Sequence, residues 1–354
     1  MKEEIKGLTL NDRFFSLPEL IEFCKEGIEN NAEPEWKLHV YRFILKFLND
    51  SDVIFQQTSG STGNSKTIKL AKKSMLASAK NTISFFQLKE NQVGVLCLPI
   101  QYIAGKMMVV RALLAGLNLK LVQPSGTPDF SGLGKIDFCA MVGLQAASLI
   151  NKNLWPPLKT LILGGAEVSH KLLLQLQSNE TEVFETYGMA ETCSHVALKR
   201  LNGKNPQTCF TGLPDIRFSV DDRDCLVINA PYLYDKIITN DRVEMVGKNQ
   251  FEWLGRIDNV INSGGIKIQP EILEKRIEEI LQKPCAILGV PDEILGQKII
   301  LVVEMADPKK SNHIEAKLAP YFDKKILPKT VKFIDHLPRN KSFKIDRIEL
   351  KKLI

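Results

Sequence analysis

The residues best suited to chemistry stand in one run, Thr58-Ser59-Gly60-Ser61-Thr62-Gly63-Asn64-Ser65-Lys66. Its glycines permit tight turns and close backbone approach, while its five hydroxyls and terminal lysine are donors suited to phosphate oxygens. The spacing is not that of a Walker A loop, because Lys66 follows Ser65 and not a glycine. Two further turns carry chemistry. Gly164-Gly165-Ala166-Glu167 follows the apolar run 160–163, and the carboxyl end of a strand is where α/β sheets bind ligands. Any strand-to-helix turn can need such glycines, so this segment alone is a weak signal. Tyr187-Gly188-Met189-Ala190-Glu191-Thr192 adds an aromatic face able to stack on a purine and a carboxylate able to hold Mg²⁺. An ordinary Tyr-Gly turn fits those residues equally well.

These turns need elements to position them. Apolar periodicity predicts helices over 16–48, a strand at 53–57, a helix at 72–86, and strands at 93–100 and 118–122 around a helix at 107–115. Strands at 137–142, 160–163 and 181–185 then alternate with helices at 144–151 and 169–176. This alternation predicts a doubly wound α/β sheet. From Phe210 to Trp253 short strands with Gly, Asn and Asp turns read as a small β-barrel or meander. After Gly255-Arg256-Ile257-Asp258 come a helix (270–281), strands (285–290 and 299–304), a helix (312–321) and a last strand (330–334), a compact α/β unit. The expected division is an N-terminal domain of residues 1–257 and a C-terminal one of residues 258–354.

Composition agrees with a soluble two-domain protein: 354 residues, 44% apolar and 25% charged. No apolar run approaches the ~20 residues a membrane span needs, since Arg111 interrupts 107–117, and no secretory signal opens the chain. A cytoplasmic location is expected. Seven cysteines with no CxxC, and five histidines away from zinc-ligand spacing, predict reduced thiols without a structural metal. The stretch 324–352 holds 10 basic and 3 acidic residues, which suits a polyphosphate ligand or simply a solvated face. Few aromatics interleave with these lysines, so nucleic acid is not expected.

The three glycine-bearing segments, followed by Gly255-Arg256-Ile257-Asp258 and Ser263-Gly264-Gly265, stand in the order found in the adenylate-forming superfamily of acyl-CoA synthetases, adenylation domains and luciferases. The chain resembles a member from about Val53 to Arg347. The resemblance implies a large AMP-binding domain of helix-flanked sheets with a small β-barrel-like part, and a small mobile C-terminal α/β domain. The chain is short for this family at its N-terminus, with about 57 residues before the first motif.

Roles then follow by resemblance, position by position. Thr58, Ser59, Gly60, Ser61, Thr62, Gly63 and Lys66 resemble the loop that holds the ATP β/γ-phosphates. Gly164, Gly165 and Ala166 resemble the adenine-side wall. Tyr187 with Gly188 resembles the adenine-stacking segment, Glu191 the Mg²⁺ ligand, and Thr192 its nucleotide-binding neighbour. Asp241, in Thr239-Asn240-Asp241, is similar to the carboxylate that accepts both ribose hydroxyls, with Asn240 replacing the usual glycine. Arg256 resembles the ribose/phosphate arginine and Asp258 the hinge. Gly264 and Gly265 resemble the passage for the pantetheine arm of coenzyme A. Lys344, in Pro338-Arg339-Asn340-Lys341-Ser342-Phe343-Lys344-Ile345-Asp346-Arg347, resembles the catalytic lysine. Ala190 stands where many relatives carry Thr, Phe343 where they carry Gly, and Tyr102 where they place the gate to the acyl pocket.

The implied activity is an acid–thiol ligase using ATP, Mg²⁺ and coenzyme A on a small carboxylic acid, with a homodimer as a compatible assembly. Within the family, 255–259, 263–265, 268–271 and 187–192 look like the segments of o-succinylbenzoate–CoA ligases of menaquinone (vitamin K2) biosynthesis. Such a diacid needs a donor for its unreacted carboxylate, and Lys106, Ser194 and His195 are the candidates. Another aryl- or acyl-CoA ligase, an adenylation domain serving a separate carrier, and a catalytically degenerate adenylate-binding protein are the alternatives.

Overall fold

The computed structural model describes residues 5–31, 33–57, 66–305, 314–340 and 344–354. The chain forms two compact units: Met1–Glu167 with Gln175–Arg217 and Asn229–Ile237, and Val168–Leu174 with Phe218–Ile228 and Ile238–Ile354.

In the first unit, strands β1 (Gly7–Leu10) and β2 (Arg13–Ser16) precede helices α1 (Leu17–Glu29) and α2 (Glu35–Leu48). The expected helix start at Ser16 is present: its N–H donates to the Glu19 carboxylate at 2.8 Å, satisfying one of the donors a helix N-terminus leaves free. Next come β3 (Val53–Gln57), β4 (Thr67–Ala71), α3 (Lys72–Phe86), β5 (Val93–Leu96), α4 (Ile103–Ala115), β6 (Asn118–Leu121), β7 (Ile136–Val142), α5 (Gly143–Asn151) and β8 (Leu158–Gly164). Past α6 (His170–Gln177), whose residues up to Leu174 belong to the second unit, follow β9 (Glu182–Gly188), β10 (His195–Arg200) and β11 (Phe210–Gly212).

The sheet of this unit runs β11-β10-β9-β8-β7-β5-β6-β1-β2. All pairs from β9 to β1 are parallel, and antiparallel strands close both ends. Val95, Phe138, Cys139, Leu161, Leu163 and Val183 are fully buried, so the central strands are covered on both faces, as a parallel sheet requires. The expected α/β alternation is therefore borne out. Tyr187 and Gly188 belong to β9, not to a turn, and α4 begins at Ile103, ahead of the expected 107. β3 and β4 form a separate antiparallel pair with Gln57 opposite Thr67, so the glycine-hydroxyl run spans the connection between them. Thr58, Ser59, Gly60, Ser61, Thr62 and Gly63 themselves lie outside the described residues.

In the second unit β12 (Arg217–Val220), β13 (Cys225–Asn229), β14 (Ile237–Gly247) and β15 (Gln250–Arg256) lie side by side in chain order, the expected meander. A second sheet follows from β16 (Ile261–Ser263), β17 (Ile266–Ile268), β18 (Cys285–Asp292), β19 (Gly296–Glu304) and β20 (Thr330–Ile334), with α7 (Pro270–Leu281), α8 (Ile314–Leu318) and α9 (Arg347–Lys352). Its order is β17-β16-β19-β18, and β20 pairs parallel with β19. Residues alternate faces along β19. Leu301 and Val303 pack in a core with Leu273 and Ile277 of α7, while Ile300 and Val302 pack in another with Leu337 and Leu350 of α9. All seven cysteines are free. Among the described residues no helix is long and apolar enough to cross a membrane.

Candidate active site

The first unit gathers its candidate residues at the carboxyl ends of parallel strands. β8 delivers Gly164, and Gly165 follows with φ +92°, a value that favours glycine. Thr186 of the neighbouring β9 donates to the Leu163 carbonyl at 3.0 Å, holding the two strand ends together. Tyr187 is buried, with its ring 5.8 Å from that of Phe210 at 58°. Gly188 must be glycine, because a Cβ there would run into the Ser194 carbonyl and the His195 backbone.

That close approach is a tight fold-back. The Thr192 hydroxyl, fully buried, accepts from the Met189 N–H at 3.0 Å and lies 2.5 Å from the Ser194 carbonyl. Cys193 adopts φ +64° and donates its N–H to the Ala190 carbonyl. Thr192, expected at the nucleotide, thus clasps the loop that presents Glu191. The Glu191 side chain is exposed and has no bonded partner among the described residues. Protein sites hold Mg²⁺ through one or two carboxylates together with substrate phosphates, so a single free carboxylate fits the ion.

The three candidates for a second substrate carboxylate do not form one cluster. Lys106 Nζ donates to Gln56 Oε1 at 2.6 Å and lies 5.9 Å from the Phe43 ring centre. Burial pushes its pKa down to about 8. Tyr102, at the N-cap of α4, accepts from the Lys106 N–H through its carbonyl. Ser194 and His195 instead meet a residue that the sequence reading treated only as an interruption, Arg111 of α4. Its side chain is 1% exposed, donates to Ser194 Oγ at 2.7 Å and lies 3.5 Å from His195 Nδ1. No carboxylate pairs with it among the described residues, and its Nε has no partner. Burial pushes its pKa down to about 9, which leaves it cationic at neutral pH.

His195 is buried, and that burial, followed by the charge of Arg111, holds its pKa well below the usual 6.5. With Nδ1 facing a donor, Nε2 carries the proton toward Thr82 Oγ1 at 3.2 Å, and Thr82 donates to the Ser78 carbonyl. The unfolded chain takes up a proton here below about pH 6.5 and the folded chain does not, so stability falls as pH falls through that point. His195→Gln should flatten this part of the acid limb in denaturant titrations at pH 7.5, 6.5 and 5.5. An unchanged slope would mean that the ring is protonated in the folded protein.

The second unit presents the other candidates. Asp241 of β14 stands opposite Arg256 of β15 and is 8% exposed. One of its oxygens accepts from Trp253 Nε1 at 3.2 Å and lies 3.7 Å from an Arg256 nitrogen. Arg256 also donates to Asp258 at 2.5 Å. Asn240 links the same group, accepting from Arg223 at 3.1 Å and donating to Asp258 at 3.2 Å. Gly264 and Gly265, at φ +58° and +81°, are the central residues of the β16–β17 turn, where positive φ at both positions is the type I′ signature. Lys344 is bonded twice to Asn340: its carbonyl accepts from Asn340 N–H at 2.9 Å, and its N–H donates to the side-chain Oδ1 of Asn340 at 3.1 Å. Phe343 lies outside the described residues.

A model of the AMP-binding enzyme family matches residues 27–228. The 2-succinylbenzoate–CoA ligase of Staphylococcus epidermidis RP62A is 27% identical over 346 residues, covering 88% of this chain and 71% of that protein. That of Bacillus cytotoxicus is 25% identical, covering 98% and 78%. Among solved structures, an acyl-CoA synthetase (AMP-forming)/AMP-acid ligase II-like protein of Dyadobacter fermentans is 33% identical at a TM-score of 0.60, covering 92% and 97%. The o-succinylbenzoate CoA synthetase of Bacillus subtilis, in complex with its acyl-adenylate intermediate, shares the fold at 18% identity and a TM-score of 0.77, covering 98% and 95%. Matched by the family model over more than half its length, and 33% identical to a solved acyl-CoA synthetase across most of both chains, the chain belongs to the AMP-binding enzyme family as an AMP-forming acyl-CoA synthetase.

Proposed function

We propose that the enzyme joins 2-succinylbenzoate to coenzyme A through an acyl-adenylate. Hydroxide is a poor leaving group, so a carboxylate must be activated before a thiol can displace anything from it. One substrate carboxylate oxygen attacks the α-phosphorus of ATP, the bond to the bridging oxygen breaks, and diphosphate leaves. The coenzyme A thiolate then attacks the acyl carbon, and AMP carries away the electron pair.

Each residue has a role in that sequence. Thr58–Lys66 hold the β/γ-phosphates, Gly164–Ala166 and Tyr187 flank the adenine, and Asp241 accepts the ribose hydroxyls. Asp241 is oriented for this by Trp253 and Arg256. Glu191 would hold Mg²⁺, which when bound neutralises phosphate charge. The first step brings like charges together, so Lys344 and Arg256 act by positioning and by electrostatic stabilisation. Asp258 serves as the hinge between the two steps, and Gly264-Gly265 admit the pantetheine arm.

The observation that carries the choice of acid is Arg111: a buried cation with Ser194 beside it and no acidic partner among the described residues. A buried charge without a partner is costly, and a substrate carboxylate is the counter-charge that would offset the cost. The names of the relatives support the same acid. CoA-dependent AMP formation from MgATP should be strong with 2-succinylbenzoate and at background with benzoate, a fatty acid and acetate. Preference for a monoacid would keep the chemistry and discard the diacid. ATP binding without turnover on any acid would favour an adenylate-binding protein.

A further inference from the structure

Three residues beyond Lys344 lies a buried ion-pair cluster that the proposed reaction does not use. Arg347 opens α9 and donates from both terminal nitrogens to the two oxygens of Glu274, each at 2.7 Å. Glu274 of α7 is 8% exposed. The same guanidinium donates to the Ile287 carbonyl at 2.8 Å, while the Ile287 N–H donates to Glu274 at 2.6 Å. One residue of β18 is thus locked to both partners. A second carboxylate, Glu271, stands 3.7 Å from Arg347 and accepts from Asn259 and from Gln269.

The cluster reaches toward Lys344 on one side and Asp258 on the other. Asp346, between Lys344 and Arg347, donates its N–H to the Pro338 carbonyl and caps α9 by accepting from the Glu349 N–H. Arg339 bridges Ile345, and Asn340 is bonded to Lys344 as described. On the other side, Asn259 immediately follows Asp258, and Gln269 donates to the Arg256 carbonyl at 2.9 Å. Gly255 packs so closely on Gln269 and Glu271 that a Cβ there would overlap both side chains. A surface lysine gains nothing from an anchor of this kind. Three charged groups withdrawn from water are expensive unless geometry matters, because a hydrophobic trio of the same volume usually stabilises a fold as well or better.

We infer that Arg347 is a positioning residue for Lys344, clamping the lysine-bearing segment to α7 and β18 through Glu274. The inference rests on Lys344 acting in adenylation and not in thiol transfer. A planar fork held on two oxygens and a carbonyl fixes direction as well as distance, which a lysine's single ammonium does not. Loss of the clamp frees the lysine segment without removing its amine, and misplacement of a catalytic group by about 1 Å costs about 100-fold.

The test uses the full-length protein with Arg347→Lys, Arg347→Met and Glu274→Gln. Amide hydrogen exchange, which needs no substrate, should quicken by about tenfold or more at Asn340, Lys344 and Asp346, and stay unchanged in β19 and in β18 apart from the Ile287 amide, which bonds Glu274 itself. Diphosphate release from ATP and acid should fall by about 100-fold, with CoA-dependent consumption of supplied acyl-adenylate within about twofold of the parent. Unchanged exchange at those three amides would overturn the inference whatever the activity. So would a uniform rise in exchange across both sheets together with equal loss of both half-reactions, since the pair would then be a plain stabiliser. Lys344→Ala in parallel reports on the underlying reading: if it spares diphosphate release, the role of the lysine fails, whereas the exchange result still decides whether Arg347 holds its segment.

Discussion

Lys344→Ala should lower acyl-adenylate formation by about 10²- to 10³-fold and leave CoA-dependent consumption of supplied acyl-adenylate within about twofold. The expectation comes from where charge sits in each step. In the first, an anionic carboxylate approaches a polyphosphate, and a cation bridging the two is worth most in the transition state. In the second, a thiolate meets a neutral carbonyl carbon and AMP departs, a step the sequence resemblance assigns to the other orientation of the C-terminal domain. The Lys344 backbone is held on both its N–H and its carbonyl by Asn340, so alanine removes the ammonium with little change to the chain path. Lys344→Arg should recover little, because a forked, longer cation cannot take the place of a compact point charge. Diphosphate release and thioester formation, measured separately on one preparation, decide the matter. Equal loss in both half-reactions would make Lys344 structural.

Long periodic elements were legible in the sequence, and so was the family. α1, α3 and α7 stand where apolar spacing puts them, because each buries one face of a helix. What escaped was short and held by partners distant in the chain. β1 and β2 are four residues each, although Asn11-Asp12 between them, at φ +48° and +73°, is a hairpin signal that could have been read. β10 begins at His195, which the sequence offers only as a candidate donor to the substrate carboxylate. β16 and β17 have three residues each, and the Gly264-Gly265 turn that joins them was read for chemistry alone.

The site divided in the same way. Motif residues could be named because glycines, an aromatic and carboxylates stand at fixed spacing. The groups that hold them could not be, because Trp253, Asn240, Glu274 and Gln269 act through side chains whose partners lie elsewhere in the sequence. Arg111 does carry a signal in the sequence. An arginine inside Met107–Leu117 breaks a bilayer span, and a cation in an apolar helix too short to span is also a candidate for burial beside a polar or anionic partner.

Arg111 therefore carries the second large effect, in which binding and stability should move in opposite directions. Arg111→Met keeps a long side chain in the α4 packing and removes the charge. A charge-assisted hydrogen bond to a carboxylate is worth about 1.5–3 kcal/mol, so KM for the diacid should rise by about 10- to 100-fold and KM for ATP should hold within about threefold. The apo protein should at the same time be as stable as the parent or more so, by about 1–3 kcal/mol, because an uncompensated cation has been replaced by an apolar group of similar length. Ser194 is left without its donor but keeps His195 Nδ1 within reach at 3.3 Å, so the polar cost is small. Lys106→Met is the companion variant, since that lysine faces Gln56 and Phe43 and not Ser194. It should shift KM for the diacid by less than about threefold. Its own pKa of about 8 makes the unfolded chain bind more protons above that pH, so the parent gains stability on alkalinisation past it and the variant lacks this gain. Two results would return Arg111 to the core: a destabilised Arg111→Met, or KM rising equally for acid and ATP. A large effect confined to Lys106→Met would move the second carboxylate to the other side of α4, beside Gln56.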